Sequence, residues 1–377
     1  MRDKFGDPPH PPLGAAIVAS HWRKSGNVTI IDANAENLSI AETAKRIKEI
    51  KPERIGISCN YAPTYTWTKK LISQCDGFIE VGGNHATAMH RYLGNDAFPG
   101  AFVFEGAYSY YEMPAYDLLP MHLYPQHGIW AVMGCPFRCG FCASKVIFPK
   151  ATKRPVEQVV DEIEYLKTHY GNKEFWSHDD TFFAWPQYTM DLLEEMQRRN
   201  LDIKFSCRTR IDRISGELLH EAIQAGCQYI SYGIESGNQE MLDRMNKGIT
   251  VDEIKKTLEI TNWIASCNGN PFRHYAFFMV GLPGETHKTI ADSYNLIAQS
   301  NLTATAWNIF IPLPGTTLMD DLLSAKTITL DELEWDMMFA RIPDESVVPY
   351  SARLAERWCG LKAEELMGAC KIGRHLK

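Results

Sequence analysis

Residues 128–142 read GIWAVMGCPFRCGFC: an apolar run with the character of a buried strand, followed at once by Cys135, Cys139 and Cys142. Parallel α/β folds place their chemistry on loops at the carboxyl ends of strands, so this junction asks whether it opens a barrel. Five further strand-like runs answer it: EFWSHDD (174–180), IKFSCRT (203–209), YISYGIES (229–236), YAFFMVG (275–281) and AWNIFIP (306–312). Helical stretches such as VEQVVDEIEYLK, TMDLLEEMQRRN and TVDEIKKTLEITNWIAS lie between them. With 129–134 as the first strand, six strand–helix units predict a partial (β/α)6 barrel over 123–320. Polar residues gather at the expected carboxyl ends: His178, Asp179 and Asp180, then Arg208 and Arg210, then Glu235 and Ser236.

Upstream, PLGAAIVASHWRKSG reads as a helix ending at a glycine, VTIIDAN as a buried strand, and SIAETAKRIKEIK as a helix opened by a serine cap. RIGISCN, a helical stretch through TWTKKLISQ, and FIEVGG continue the alternation. Residues 1–122 are therefore expected to form a small Rossmann-like domain, truncated because MRDKFGDPPHPP lacks the apolar strand that normally opens one. The stretch GAYSYYEMPAYDLLPMHLYPQHG is expected to be an ordered linker, since so many large aromatics have to be buried. Residues 321–377, with ARLAERWCGLKAEELMGACK, read as a helical extension packed around the barrel or over its mouth.

Hydrophobic residues make up 45% and charged residues 23% of the chain, as in ordinary globular proteins. No apolar run approaches the roughly 18–20 residues of a membrane span, and the N-terminus lacks a signal-peptide core, so a cytoplasmic protein without membrane attachment is expected. A net charge of −7 argues against general nucleic-acid binding, which draws on clustered Lys and Arg. Basic stretches such as KRIKEIKPER alternate with acids and read as solvated faces.

Of the ten cysteines, seven are scattered and read as small buried residues. The remaining three are packed into eight positions. Structural zinc wants four ligands, usually from two knuckles, and no second knuckle is visible. A redox pair accounts for Cys139 and Cys142 but leaves Cys135 over. A 4Fe-4S cluster on three thiolates leaves one iron open to a non-protein ligand, and this alternative explains most.

The pattern Cys135-Pro-Phe-Arg-Cys139-Gly-Phe141-Cys142 resembles the signature of the radical S-adenosylmethionine (radical SAM) superfamily, Cys-x3-Cys-x-aromatic-Cys. The resemblance extends from about residue 128 to 320 through FWSHDDTF, SCRTRIDRIS, GIESGNQEMLDRMNKGIT, FFMVGLPGET and NIFIPLPGT. It implies that the three cysteines bind three irons, that S-adenosylmethionine chelates the fourth, and that an electron cleaves the sulfonium to give a 5′-deoxyadenosyl radical. Position by position, it implies Phe141 near the adenine, and Asp179 or Asp180 at the methionyl ammonium where the family often has Gly-Gly-Glu. It also implies Arg208 at the methionyl carboxylate, Glu235 and Ser236 at the ribose, and Gly281 in a turn presenting backbone to the adenine. Each has a plainer rival: a helix N-cap for the aspartates or Glu235, a surface ion pair for Arg208 or Arg210, and a tight turn for Gly281 and Gly284.

PPLGAAIVASHWRKSGNVTIIDANAENLS, KPERIGISCN and IEVGGNHATA resemble the cobalamin-binding domain of many radical SAM methyltransferases. The Asp-x-His-x-x-Gly signature of histidine-ligated cobalamin is absent. His10, between prolines and at the wrong spacing from Asp7, is not expected to ligate cobalt. The resemblance thus implies a 4Fe-4S cluster, S-adenosylmethionine and, as a candidate third cofactor, cobalamin. The leading expectation is cobalamin-dependent methyl transfer to an unactivated carbon of a small molecule or peptide, with flavodoxin or ferredoxin as reductant. The alternatives are a cobalamin-independent rearrangement, epimerisation or cyclisation beside a vestigial N-terminal domain, and a non-catalytic iron–sulfur or cobalamin sensor.

Overall fold

The computed structural model describes residues 9–103, 112–267, 272–338 and 348–375. The chain divides into two compact units, Met1–Gly128 with Glu334–Met338, and Ile129–Leu333 with Phe339–Lys377.

The first unit runs α1 (Leu13–Trp22), α2 (Ile40–Ile50), β1 (Arg54–Ser58), α3 (Tyr65–Ile72), β2 (Phe78–Gly82), α4 (Asn84–Leu93) and β3 (Phe102–Val103). Its strands form a parallel sheet in the order β1-β2-β3. Ile55, Ile57, Ile79, Val81 and Val103 are buried, which gives the sheet an apolar face. On β1, Gly56 leaves room for the Trp22 indole, which a Cβ there would meet at 2.9 Å. Helix α2 begins as the sequence indicates, on a capping box in which the Ser39 and Glu42 side chains each accept from the other's backbone N–H.

The expected strand VTIIDAN is a correction: it forms no ladder. Its residues are half-buried or exposed, and Asp32 instead organises a turn, accepting the N–H groups of Asn34 and Ala35 through Oδ1 and the Tyr124 hydroxyl through Oδ2 at 2.7 Å. Residues 104–111, which include the start of the expected linker, and residues 1–8, including Asp7, lie outside the described residues. In the rest of the linker Tyr116, Met121 and Tyr124 are buried, as its aromatic content requires.

The chain continues with β4 (His127–Ile129), β5 (Val132–Met133), α5 (Ser144–Ile147), β6 (Thr152–Lys153), α6 (Val156–Tyr170), β7 (Glu174–Ser177), α7 (Pro186–Arg198), β8 (Lys204–Arg210) and α8 (Gly216–Gln224). After these come β9 (Cys227–Glu235), α9 (Gln239–Arg244), α10 (Val251–Cys267), β10 (Arg273–Val280), α11 (His287–Ala298), β11 (Ala304–Ile309), α12 (Thr317–Ser324), α13 (Tyr350–Cys359) and α14 (Ala363–His375). One six-stranded sheet has the order β4-β7-β8-β9-β10-β11, parallel from β7 to β11. Sequential order with helical crossovers is the pattern of a (β/α)6 partial barrel.

The expected first strand, 129–134, is broken in two. β4 pairs within the main sheet, whereas β5 turns away to pair antiparallel with β6. Between them the Asp179 carboxylate accepts the N–H groups of Ala131 and Val132 at 2.9 and 2.8 Å, replacing a ladder partner with a side chain. At the far edge, α14 packs on β11: Thr305 Oγ1 donates to the Gly373 carbonyl at 2.6 Å, and Trp307 lies against Gly373, where a Cβ would come within 2.1 Å of the indole.

Candidate functional site

The three cysteines sit on the loop between β5 and α5. Gly134 enters it at φ +73°, where a Cβ would press on Phe148 at 2.6 Å, so the turn requires glycine. The Gly140 N–H donates to the Met245 carbonyl at 2.7 Å, and the Gly140 carbonyl accepts from Leu318 N–H at 3.0 Å. Asn246 adds a bond from Nδ2 to the Arg138 carbonyl at 2.9 Å. The segments that follow β9 and β11 therefore fix the cysteine loop at the carboxyl end of the barrel.

All three thiols are free. Burial raises the Cys139 thiol, while Lys247 and Arg210 pull it down; burial pushes Cys142 up to about 12, with Asp180 and the other two cysteines adding to the rise. Among the described residues no three His, Cys, Asp or Glu side chains are drawn together as a bound metal would draw them. The donor chemistry nevertheless fits a cluster: three thiols on one loop, close enough to perturb one another, beside two cations that offset thiolate charge.

Those two cations are the residues that the sequence did not single out for this role. Arg210, at the end of β8, donates from Nη1 to Cys139 Sγ at 3.4 Å, from Nη2 to the Lys247 carbonyl at 2.7 Å and from Nε to Asp212 Oδ1 at 2.9 Å. Its guanidinium lies over the Phe137 ring, 4.1 Å from the centroid. Lys247 follows α9; its ammonium is 3.0 Å from Glu235 Oε1 and 5.6 Å from the centroid of Phe141. Glu235 ends β9 with φ +73°, a conformation that a non-glycine residue adopts at a cost, next to a break in the β9/β10 register.

Strand alternation separates the remaining candidates. Arg208, two residues before Arg210 on β8 and so on the same face, is exposed, with its guanidinium over Trp176 at 5.1 Å. Asp180 accepts from Ser144 Oγ, at the start of α5, and so belongs to the cysteine loop's surroundings. Asp179 points the other way. It lines a small cavity with Val159 and Ile163 of α6 and Leu192 of α7, and burial pushes it up to about 7. Its Oδ1 is engaged by backbone, and its Oδ2 is buried with no hydrogen-bond partner.

Ser236 is buried, accepts from the Asn238 N–H at 3.1 Å and meets Ser293 Oγ at 3.4 Å, so its hydroxyl serves the packing of α11. Gly281 takes φ +80° as the turn requires, but its carbonyl is occupied by Trp358 Nε1 at 2.6 Å. Beneath that turn, burial pushes Glu285 up to about 7.

In the first unit, the loops after β1 and β2 are stitched together. Cys59 N–H donates to the Gly82 carbonyl at 2.8 Å, and Asn60 Oδ1 accepts from Asn84 N–H at 3.1 Å. Gly83, at φ +104°, has its would-be Cβ position filled by Asn60 Oδ1 at 2.5 Å, whereas nothing lies within 4 Å of one at Gly82. Small side chains and open backbone at strand ends fit a large amide-rimmed ligand such as cobalamin. His85 is buried between Tyr65 and Trp335 in edge-to-face contacts, so it is not presented as a ligand for cobalt.

The family comparison agrees with this division of labour. A model of the radical SAM superfamily matches residues 132–297, and a model of the B12 binding domain matches residues 7–112. The two matches give the chain a radical SAM domain preceded by a B12-binding domain. It is an enzyme of that composition, with a 4Fe-4S cluster, S-adenosylmethionine and cobalamin as cofactors.

An uncharacterized methyltransferase of Pyrococcus horikoshii is 28% identical, with 82% of this chain and 78% of that protein covered. Bacteriochlorophyllide d C-12(1)-methyltransferase of Chlorobaculum tepidum is 25% identical over 52% of this chain and 42% of its own length. The anaerobic magnesium-protoporphyrin IX monomethyl ester cyclase of Cereibacter sphaeroides is 31% identical over 50% and 31%. The chain thus spans under half of the last two. Among solved structures, the radical SAM methyltransferase TsrM from Kitasatospora setae, with cobalamin and a 4Fe-4S cluster bound, has a TM-score of 0.68 at 15% identity, covering 86% of this chain and 76% of its own. That likeness shows the fold. No helix among the described residues is long and apolar enough to cross a membrane.

Proposed function

We propose that this enzyme transfers a methyl group from S-adenosylmethionine to a carbon of a small-molecule substrate. The observation that carries the proposal is the pairing, in one chain, of a three-thiol loop at the carboxyl end of a radical SAM barrel with a B12-binding domain. Relatives named as methyltransferases support it. When bound, the cluster supplies an electron to S-adenosylmethionine and cobalamin supplies a methyl carrier.

The chain's own residues hold and orient. Cys135, Cys139 and Cys142 hold the cluster, and Arg210 and Lys247 offset the charge of their thiolates. Glu235, fixed by Lys247, offers its second carboxylate oxygen to ribose hydroxyls. Asp180 accepts from the methionyl ammonium, and Phe141 packs against the adenine beside the Val280–Gly284 turn. Arg208, with its guanidinium over Trp176, presents its fork to the methionyl carboxylate. A ferredoxin or flavodoxin serves as reductant.

A second reading, radical cyclisation in which cobalamin carries no methyl group, is favoured by the relatives named as cyclases. Anaerobic reconstitution with cobalamin separates the two. Methyl transfer requires a stoichiometric change in the cobalamin visible spectrum and S-adenosylhomocysteine among the products. A protein that carries four irons, cleaves S-adenosylmethionine and leaves the cobalamin spectrum unchanged follows the second reading. Replacing any of the three cysteines with alanine should abolish the cluster absorbance in either case.

A further inference from the structure

We infer that Arg210 is a positioning residue that tunes the cluster, donating an N–H···S hydrogen bond to Cys139 and thereby raising the midpoint potential at which the cluster accepts its electron. The inference rests on the reading that the three cysteines hold that cluster.

Three observations carry it. Arg210 Nη1 lies 3.4 Å from Cys139 Sγ, within hydrogen-bond range for sulfur. Arg210 is 5% exposed, so the contact is little screened by water. It is also over-determined: Asp212 holds Nε and Nη2, the Lys247 carbonyl holds Nη2, and Phe137 of the cysteine loop lies against its plane. A side chain fixed on so many sides is aimed, and what its remaining nitrogen is aimed at is a cluster ligand.

Hydrogen bonds to the sulfurs and the net charge nearby are among the terms that set the potential of an iron–sulfur cluster. A cation and an N–H donor both favour the reduced, more negative cluster, so removing them should make it harder to reduce. The surroundings allow the test. Asp212 keeps a second partner, Arg213 Nη2 at 2.9 Å, so loss of Arg210 does not leave that carboxylate unpaired.

The experiment is a redox titration, followed by electron paramagnetic resonance, of the reconstituted full chain and its Arg210→Gln and Arg210→Lys variants, with iron and sulfide counted in each. The expected result is a more negative midpoint potential for Arg210→Gln at full iron content, with Arg210→Lys, which keeps the charge, between it and the unsubstituted protein. Unchanged potentials in both variants would overturn the inference. If Arg210→Gln does not hold four irons, Arg210→Lys decides alone: a negative shift supports the role and an unchanged potential refutes it. A cluster that fails to assemble in the unsubstituted protein counts against the underlying cluster reading and so is distinguishable from failure of the tuning role.

Discussion

Lys247→Met should be among the most damaging single substitutions in the barrel, although Lys247 lies outside every regular element. Its ammonium is 3.0 Å from Glu235 Oε1, with side-chain exposures of 4% and 11%. At an effective dielectric constant near 20, two unit charges at that distance attract by about 5 kcal/mol. Much of this repays desolvation, but removing one partner leaves the other buried and uncompensated, which costs about 3–5 kcal/mol. Glu235 also carries backbone strain of about 1–3 kcal/mol at φ +73°, which the ion pair helps to hold. Glycine is unstrained there, so Glu235→Gly should recover part of its own cost, and the double variant should be far more stable than the sum of the single losses implies. Urea denaturation followed by both fluorescence and circular dichroism would measure the cycle and show whether the barrel unfolds in one step. A Lys247→Met cost below about 1 kcal/mol, or single effects that add within about 0.5 kcal/mol, would refute the reasoning.

Asp179→Asn should preserve S-adenosylmethionine binding and cleavage, since its carboxylate serves Ala131 and Val132, whereas Asp180→Asn should weaken binding; equilibrium dialysis on reconstituted protein distinguishes them. Glu285 is raised from 4.5 to about 7 by burial, so its unfolded form ionises first as pH rises. Its contribution to stability is present below pH 4.5 and falls by roughly 3 kcal/mol up to pH 7, and the stability difference between the protein and Glu285→Gln should change by that amount in this window. Gly373→Ala should destabilise by about 1–3 kcal/mol because its methyl overlaps Trp307, while Gly368→Ala, on the same helix with nothing within 4 Å, should be neutral or stabilising; thermal melts compare the two.

The barrel was legible because strands β7 to β11 are paired on both sides or packed on both faces, and such strands write themselves as apolar runs whatever their neighbours do. The two failures share a cause. VTIIDAN has strand composition, but composition does not supply a partner, and Asp32 spends its carboxylate on a turn and on Tyr124, 92 positions away. The run 129–134 is likewise apolar throughout, yet Asp179, 48 positions away from Ala131, captures two of its N–H groups and lets its second half pair elsewhere. Periodicity in a window cannot register either event, because in both the deciding group lies outside it.

The site divides along a different line. Three closely spaced thiols need no fold to be noticed, but their electrostatic neighbours do. Lys247 lies 12 residues beyond the end of β9, in MNKGIT, where nothing local sets it apart from a surface lysine. Arg210 and the aspartates were accessible to a simpler argument. Side chains alternate across a strand, so Trp176, His178 and Asp180 share one face of β7 and its extension, and Phe175, Ser177 and Asp179 share the other. With Phe175 assigned to the helix layer by its apolar character, Asp179 must accompany it there and Asp180 must face inward. The same parity places Arg208 and Arg210 on one face of β8, with Arg210 nearer the carboxyl end where the cysteines are. Parity therefore separates Asp180 from Asp179 in the sequence alone. It cannot supply the partner that makes Arg210 matter, because Cys139 arrives from a loop 71 positions earlier and only the folded chain brings the two together.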